Sequence, residues 1–219
     1  MQPFRQRDPT RYRTVFTWLL TQDQGTPIEV AFAPDNRRFA VGTVAARDGQ
    51  LASTVYCMEI GSTTATAQYT ATAGSMVLRL QWLSGSRLLA VFDTYAALLD
   101  PATGAELARY DYEGSALQGI SVQGSTVALL LSAHSGNTLA LLDTDLAPVG
   151  EIDAGQAASV TCADSEAYLI ENNTVLCYGL DGTLRWEQEY TTRPLYLLNA
   201  AEPLLFTAGR VEVLTAPAA

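Results

Sequence analysis

The sequence predicts an all-β protein, a β-propeller of four-stranded antiparallel blades with about five blades. Three observations predict it. Five segments read strand, turn, strand. They recur at a nearly constant period. Between them, a second pair of short strands follows in each of the first four repeats. The segments begin at Ile28, Val77, Leu117, Ser159 and Pro194, so the starts are 49, 40, 42 and 35 residues apart. A propeller blade takes roughly 40–45 residues.

Each element has a local reason. "IEVAFAPDNRRFAVGTV", "VLRLQWLSGSRLLAVFD" and "LQGISVQGSTVALLLSA" place turn-forming Pro, Asp, Ser, Gly or Asn between apolar runs rich in Val, Leu, Phe and Ala. "SVTCADSEAYLIE" and "PLYLLNAAEPLLFTAG" repeat the pattern. The third strands are "TVYCMEI", "YAALLD", "TLALLD" and "TVLCYGL"; the fourth are "ATAQYT", "AELARYDY", "PVGEID" and "LRWEQEY". The stretch "LLDPATGAELARY" (98–110) is therefore read as a third-to-fourth hairpin whose Asp, Pro and Gly serve the bend. Its second half has helical propensity, but it spans barely two turns, too few for an isolated helix. The longest interval is attributed to a long loop, "AARDGQLAS" (45–53).

The fifth repeat stops after its third strand, "RVEVLTA". The chain start offers a spare strand, "YRTVFTWLL" (12–20). Two readings stay open: this segment closes the last blade and removes its edge, or the chain is a fragment of a 7–8-bladed propeller. The domain reading is an extension over 1–11, one propeller over 12–215, and a tail over 216–219.

Composition excludes several chemistries. The 219 residues carry a net charge of −10, with thirteen Arg and no Lys. There is no P-loop lysine, Schiff-base lysine or Ser-Lys dyad. An acidic chain without a basic run repels phosphate backbones, which argues against nucleic acid as a partner. The three cysteines, Cys57, Cys162 and Cys177, form no C-x-x-C and are expected as buried free thiols. No apolar run reaches the roughly 18 residues that span a bilayer.

At the residues themselves, "FAPDNRRFAVGT" resembles the strand-turn-strand pattern of WD40-like and TolB-like propellers, although Gly-His and Trp-Asp pairs are missing. "LLDPATGAELARY" and "YGLDGTLRWEQEY" resemble the hairpins of PQQ-type, quinoprotein-like repeats. With "VAARDGQLASTVY" included, the chain over about 12–215 resembles the DUF5711 group of bacterial propeller-like proteins. That resemblance implies an extracytoplasmic or cell-surface propeller, held by an N-terminal membrane helix in most of the group. The anchor is absent here, which points to a truncated chain or a divergent soluble relative.

Candidate sites follow from the repeat register. First strands of propeller blades line a central channel; they offer Glu29, Arg79, Gln81, Gln118, Thr161 and Tyr196. Glu29, Arg79, Gln81 and Tyr196 are the candidate channel contacts for a ligand or partner, and Arg47, Asp48 and Gln50 of the long loop are candidate face contacts. No catalytic residue, metal ligand or cofactor is assigned. One channel carboxylate is not the converging pair a glycosidase needs. Asp35, Asp100, Asp143 and Asp181 mark turns. His134, the only histidine, falls in "LLLSAHSGN" without a nucleophile motif. The expected role is a non-enzymatic binding or scaffold module for a protein or small extracytoplasmic ligand. The alternative is a propeller hydrolase of glycosidase type or a quinoprotein-related enzyme.

Overall fold

The computed structural model describes residues 17–47, 49–163, 165–200 and 202–217. Among them the chain forms strands and a single three-residue 3-10 turn, Gln22–Gln24. No helix of the described residues is long and apolar enough to cross a membrane. The first sheet is β1 (Thr26–Phe32), β2 (Arg38–Arg47), β3 (Gln50–Glu59) and β4 (Ala67–Thr70), in that order. The second is β5 (Val77–Ser84), β6 (Arg87–Phe92), β7 (Tyr95–Leu99) and β8 (Glu106–Asp111). The third is β9 (Ala116–Gln123), β10 (Thr126–Ala133), β11 (Gly136–Leu142) and β12 (Pro148–Gly155). The fourth is β13 (Ser159–Ala163), β14 (Glu166–Glu171), β15 (Thr174–Gly179) and β16 (Leu184–Glu189). The fifth has three strands, β17 (Pro194–Leu198), β18 (Leu204–Thr207) and β19 (Val211–Val213).

Burial separates middle strands from outer ones. β7 is buried at all five positions and β6 at five of six. β8 and β16 alternate between half-buried and exposed positions over their last four residues, as strands with one wet face do. That contrast is why the middle strands read as unbroken apolar runs.

Packing divides the chain into two compact units, Met1–Phe92 with Leu99–Leu107, and Asp93–Leu98 with Ala108–Ala219. In the first, Phe39, Val41, Tyr56 and Met58 form a buried cluster. Trp18 stands edge-on to Tyr56 at 5.3 Å. β2 and β5 approach so closely at Gly42 that a Cβ there would meet Val77 Cγ1 at 2.8 Å. In the second, Leu130, Leu139, Leu141, Ile152, Val160 and Leu169 join the third and fourth sheets. Tyr168, Ile170, Val175, Leu197, Leu205 and Leu214 join the fourth and fifth.

One expectation is corrected. Residues 45–53 are not a long loop. β2 runs to Arg47 and β3 starts at Gln50, with Ala45 opposite Ala52, Ala46 opposite Leu51 and Arg47 opposite Gln50. The extra length lies in two longer strands joined through Gly49, whose φ of 78° suits a tight turn. Asp-Gly between strands is a strong two-residue hairpin signal. The connection between β10 and β11 is equally tight, the two-residue turn His134-Ser135. Of the spare strand at 12–20, residues 12–16 lie outside the described residues, and 17–20 are not strand. Trp18 packs on the first sheet.

Candidate functional site

Glu29, on β1, is half-buried. Its Oε1 accepts the Leu80 N–H at 3.4 Å and lies 3.7 Å from Arg79 Nη1. Trp82 Nε1 donates to the Ala31 carbonyl at 3.1 Å, tying β5 to β1 a second time. Arg79 is exposed and Gln81 is half-buried opposite Leu89. Gln81 and Gln50 share no hydrogen bond or ion pair with Glu29 or Arg79 among the described residues. Asp48 lies outside the described residues; Arg47 and Gln50 close the β2–β3 hairpin as cross-strand partners. Tyr196, in the second unit, is 52% exposed on β17, with its ring 6.2 Å from Phe206.

The turn aspartates do what their position in the sequence implies. Asp35 Oδ1 accepts the N–H groups of Arg37 and Arg38, and its Oδ2 accepts Arg38 Nε at 2.7 Å. Asp100 accepts the Ala102 N–H and the Thr103 hydroxyl. Asp143 accepts the N–H groups of Asp145 and Ala147, and Asp181 those of Thr183 and its hydroxyl. These donors hold Asp35 down at about 2 and hold Asp100 and Asp181 below the usual carboxylate range. His134 is exposed at a hairpin tip. Thr161 is buried, and its hydroxyl donates to the Leu197 carbonyl at 2.8 Å.

A cleft that the sequence reading did not single out lies in the second unit, with a volume of about 520 Å³. Three successive repeats build it from the same place, the turn between first and second strands. Gln123 comes from the end of β9; Ala163, Ser165, Glu166 and Tyr168 from the β13–β14 hairpin; Asn199, Ala200 and Pro203 from the β17–β18 connection. Lateral hydrogen bonds between first strands fix its spacing. The Cys162 N–H donates to Ser121 Oγ at 2.8 Å, linking β9 to β13, and the Thr161–Leu197 bond links β13 to β17.

Glu166 is the ordered centre of the wall. Its Oε2 accepts the Tyr168 hydroxyl at 2.5 Å and its Oε1 accepts Arg185 Nη1 at 2.9 Å. Burial, then the hydrogen bond to Glu166, push the Tyr168 phenol well above its ordinary range. Burial, with Glu166 adding, pushes the nearby Cys177 thiol to about 12, so it stays protonated and is not a nucleophile at neutral pH. The described lining therefore offers two carboxamides, a hydroxyl and a charge-paired acid. Among the described residues, no group of three His, Cys, Asp or Glu side chains is placed to hold a metal. Aligning the repeats turn by turn is the sequence signal that could have found this cleft.

The five antiparallel sheets, each one repeat in chain order, define a WD40-like β-propeller of about five blades. Within that class the chain belongs to DUF5711, a family of unknown function whose model matches residues 13–214. No curated protein matches the chain. Among solved structures it is similar to the computationally designed Ika8 protein, with 12% identity, TM-score 0.58, and coverage of 85% of this chain and 70% of that one. The WD40 domain of Neurospora crassa Pan2 matches at 9% identity and TM-score 0.57, over 82% of this chain and 59% of that one. The WD40 domain of Toxoplasma gondii coronin matches at 13% identity and TM-score 0.57, over 86% and 58%. The chain thus spans less than two thirds of the Pan2 and coronin chains it matches, and the likeness is one of fold.

Proposed function

We propose that this chain is a non-enzymatic propeller binding module that recognises its ligand in the cleft formed by the turns of β9–β10, β13–β14 and β17–β18. The observation that carries the reading is the convergence of Gln123, Ser165, Glu166 and Asn199, drawn from three repeats, on one open volume of about 520 Å³. That volume lies within the range of small-molecule sites, roughly 300–1,000 Å³. Rigid walls support recognition: Glu166 is held by two partners, and first-strand cross-links set the width. The resemblance to anchored bacterial relatives supports an extracytoplasmic setting for the module.

Thermal-shift screening against peptide and sugar libraries tests the reading. A ligand class should raise the melting temperature of the wild-type chain and lose that effect in the Gln123→Ala/Asn199→Ala variant. Mass spectrometry should then recover the ligand unchanged. Conversion of the bound ligand would overturn the non-enzymatic part. Protease shaving of intact cells expressing the natural gene tests the location: protection of the propeller would sink an external setting.

A further inference from the structure

We infer that the ligand of this cleft is an extended polypeptide segment of neutral to basic character. The inference rests on the binding-module reading above and narrows it to one chemical class.

Hydrogen-bonding chemistry comes first. Gln123 and Asn199 each present a carbonyl acceptor and an NH₂ donor, the same pair a peptide unit presents, and Ser165 adds a hydroxyl that does either. Such walls can satisfy main-chain groups of a segment whatever its side chains are. The charge pattern comes second. Arg185 beside the cleft is already engaged by Glu166 at 2.9 Å, and the whole chain carries −10. Phosphate and other anionic ligands would meet no free cation in the described lining and would be repelled at long range, while basic segments would be steered in.

Sugar recognition usually uses an exposed aromatic face. Tyr168, the one aromatic in the lining, is only 6% exposed; its ring rests 6.0 Å from Trp186 and its hydroxyl is committed to Glu166. Apolar side-chain contacts are available instead along β17. Tyr196 and Leu198 are 52% and 40% exposed on the same face of that strand, and they lead directly into Asn199. Their spacing, about 7 Å for two residues of strand, matches alternate side chains of an extended peptide.

Arrays of random-sequence decapeptides and of oligosaccharides, probed with the fluorescently labelled chain, test the class. Bound peptides should be enriched in Lys, Arg and apolar residues. In solution, anisotropy with the best labelled peptide should show about tenfold weaker binding for Gln123→Ala/Asn199→Ala, or about 1.4 kcal/mol. Tyr196→Ser should weaken it in the same direction, and added salt should weaken it for wild type. Melting curves of both variants should overlay that of wild type, which separates lost binding from lost folding. Oligosaccharide binding lost in the double variant would overturn the peptide class and leave the cleft standing as a site. Peptide binding unchanged in folded variants would overturn the inference by placing the contact elsewhere. Silence on both arrays would overturn the inference and the binding-module reading together.

Discussion

Tyr112 is buried to 2% exposure, and its hydroxyl is the one buried side-chain polar atom without a hydrogen-bond partner among the described residues. Leaving such a group unsatisfied costs about 1–3 kcal/mol. Tyr112→Phe should therefore raise stability by about 1 kcal/mol in urea unfolding; a loss of stability would mean that the hydroxyl is satisfied in solution. Cys57, Cys162 and Cys177 are all buried and free. Desolvation pushes them to about 11, 12 and 12, above their unfolded range. A raised thiol pKa favours the fold below the unfolded value, and that contribution is lost as pH rises toward 11–12. At pH 8 the thiols remain neutral and covered, so iodoacetamide should label none of them in the native chain and all three after unfolding. Native labelling of Cys177 would show that the wall beside Glu166 opens.

At the scale of elements, the β7–β8 hairpin shows what a turn motif determines. Asp100 caps the bend, the Gly104 N–H donates to the Asp100 carbonyl at 2.8 Å, and the Asp100 N–H donates to the Ala105 carbonyl at 2.9 Å. Gly104 has φ 76°, and a Cβ there would collide with the backbone carbonyl of Gln68 on β4. Gly104→Ala should thus destabilise by more than about 1 kcal/mol, checked by chemical denaturation, whereas an alanine at Gly114, where nothing lies within 4 Å, should cost only the left-handed backbone strain. "LLDPATGAELARY" was legible as a hairpin because Asp, Pro and Gly act locally. The β2–β3 hairpin was misread for a related reason. Polar residues around Gly49 suggest a loop, although Asp-Gly is itself a hairpin signal and Ala45 pairs with Ala52.

For the molecule as a whole, acid is the informative perturbation. Asp35, Asp100 and Asp181 have folded pKa values depressed by turn N–H and hydroxyl donors. A depressed carboxylate contributes stability above its unfolded pKa of about 3.9 and loses it as pH falls through the folded value, about 2 for Asp35. The urea midpoint should hold from pH 7 to about pH 5 and fall between pH 4 and pH 2. Asp35→Asn should make that fall shallower, and an unchanged slope would show that the turn contributes nothing through charge. Because these carboxylates are exposed, each effect is small and the sum is what the titration reads.

The sequence by itself determined the class of fold, the repeat register, the turn aspartates and the buried thiols. Turn chemistry, strand alternation and apolar runs act over a few residues, so they are written locally. Tertiary structure alone formed the cleft. Glu29 reads as a channel contact in the sequence, and the structure adds that its carboxylate accepts the Leu80 N–H and lies 3.7 Å from Arg79 Nη1. Gln123, Glu166 and Asn199 look like ordinary turn-proximal residues until Thr161 and Ser121 cross-link the first strands and bring three turns together. A cleft is a relation between segments some 35–45 residues apart, and only the packing of one repeat on the next creates it.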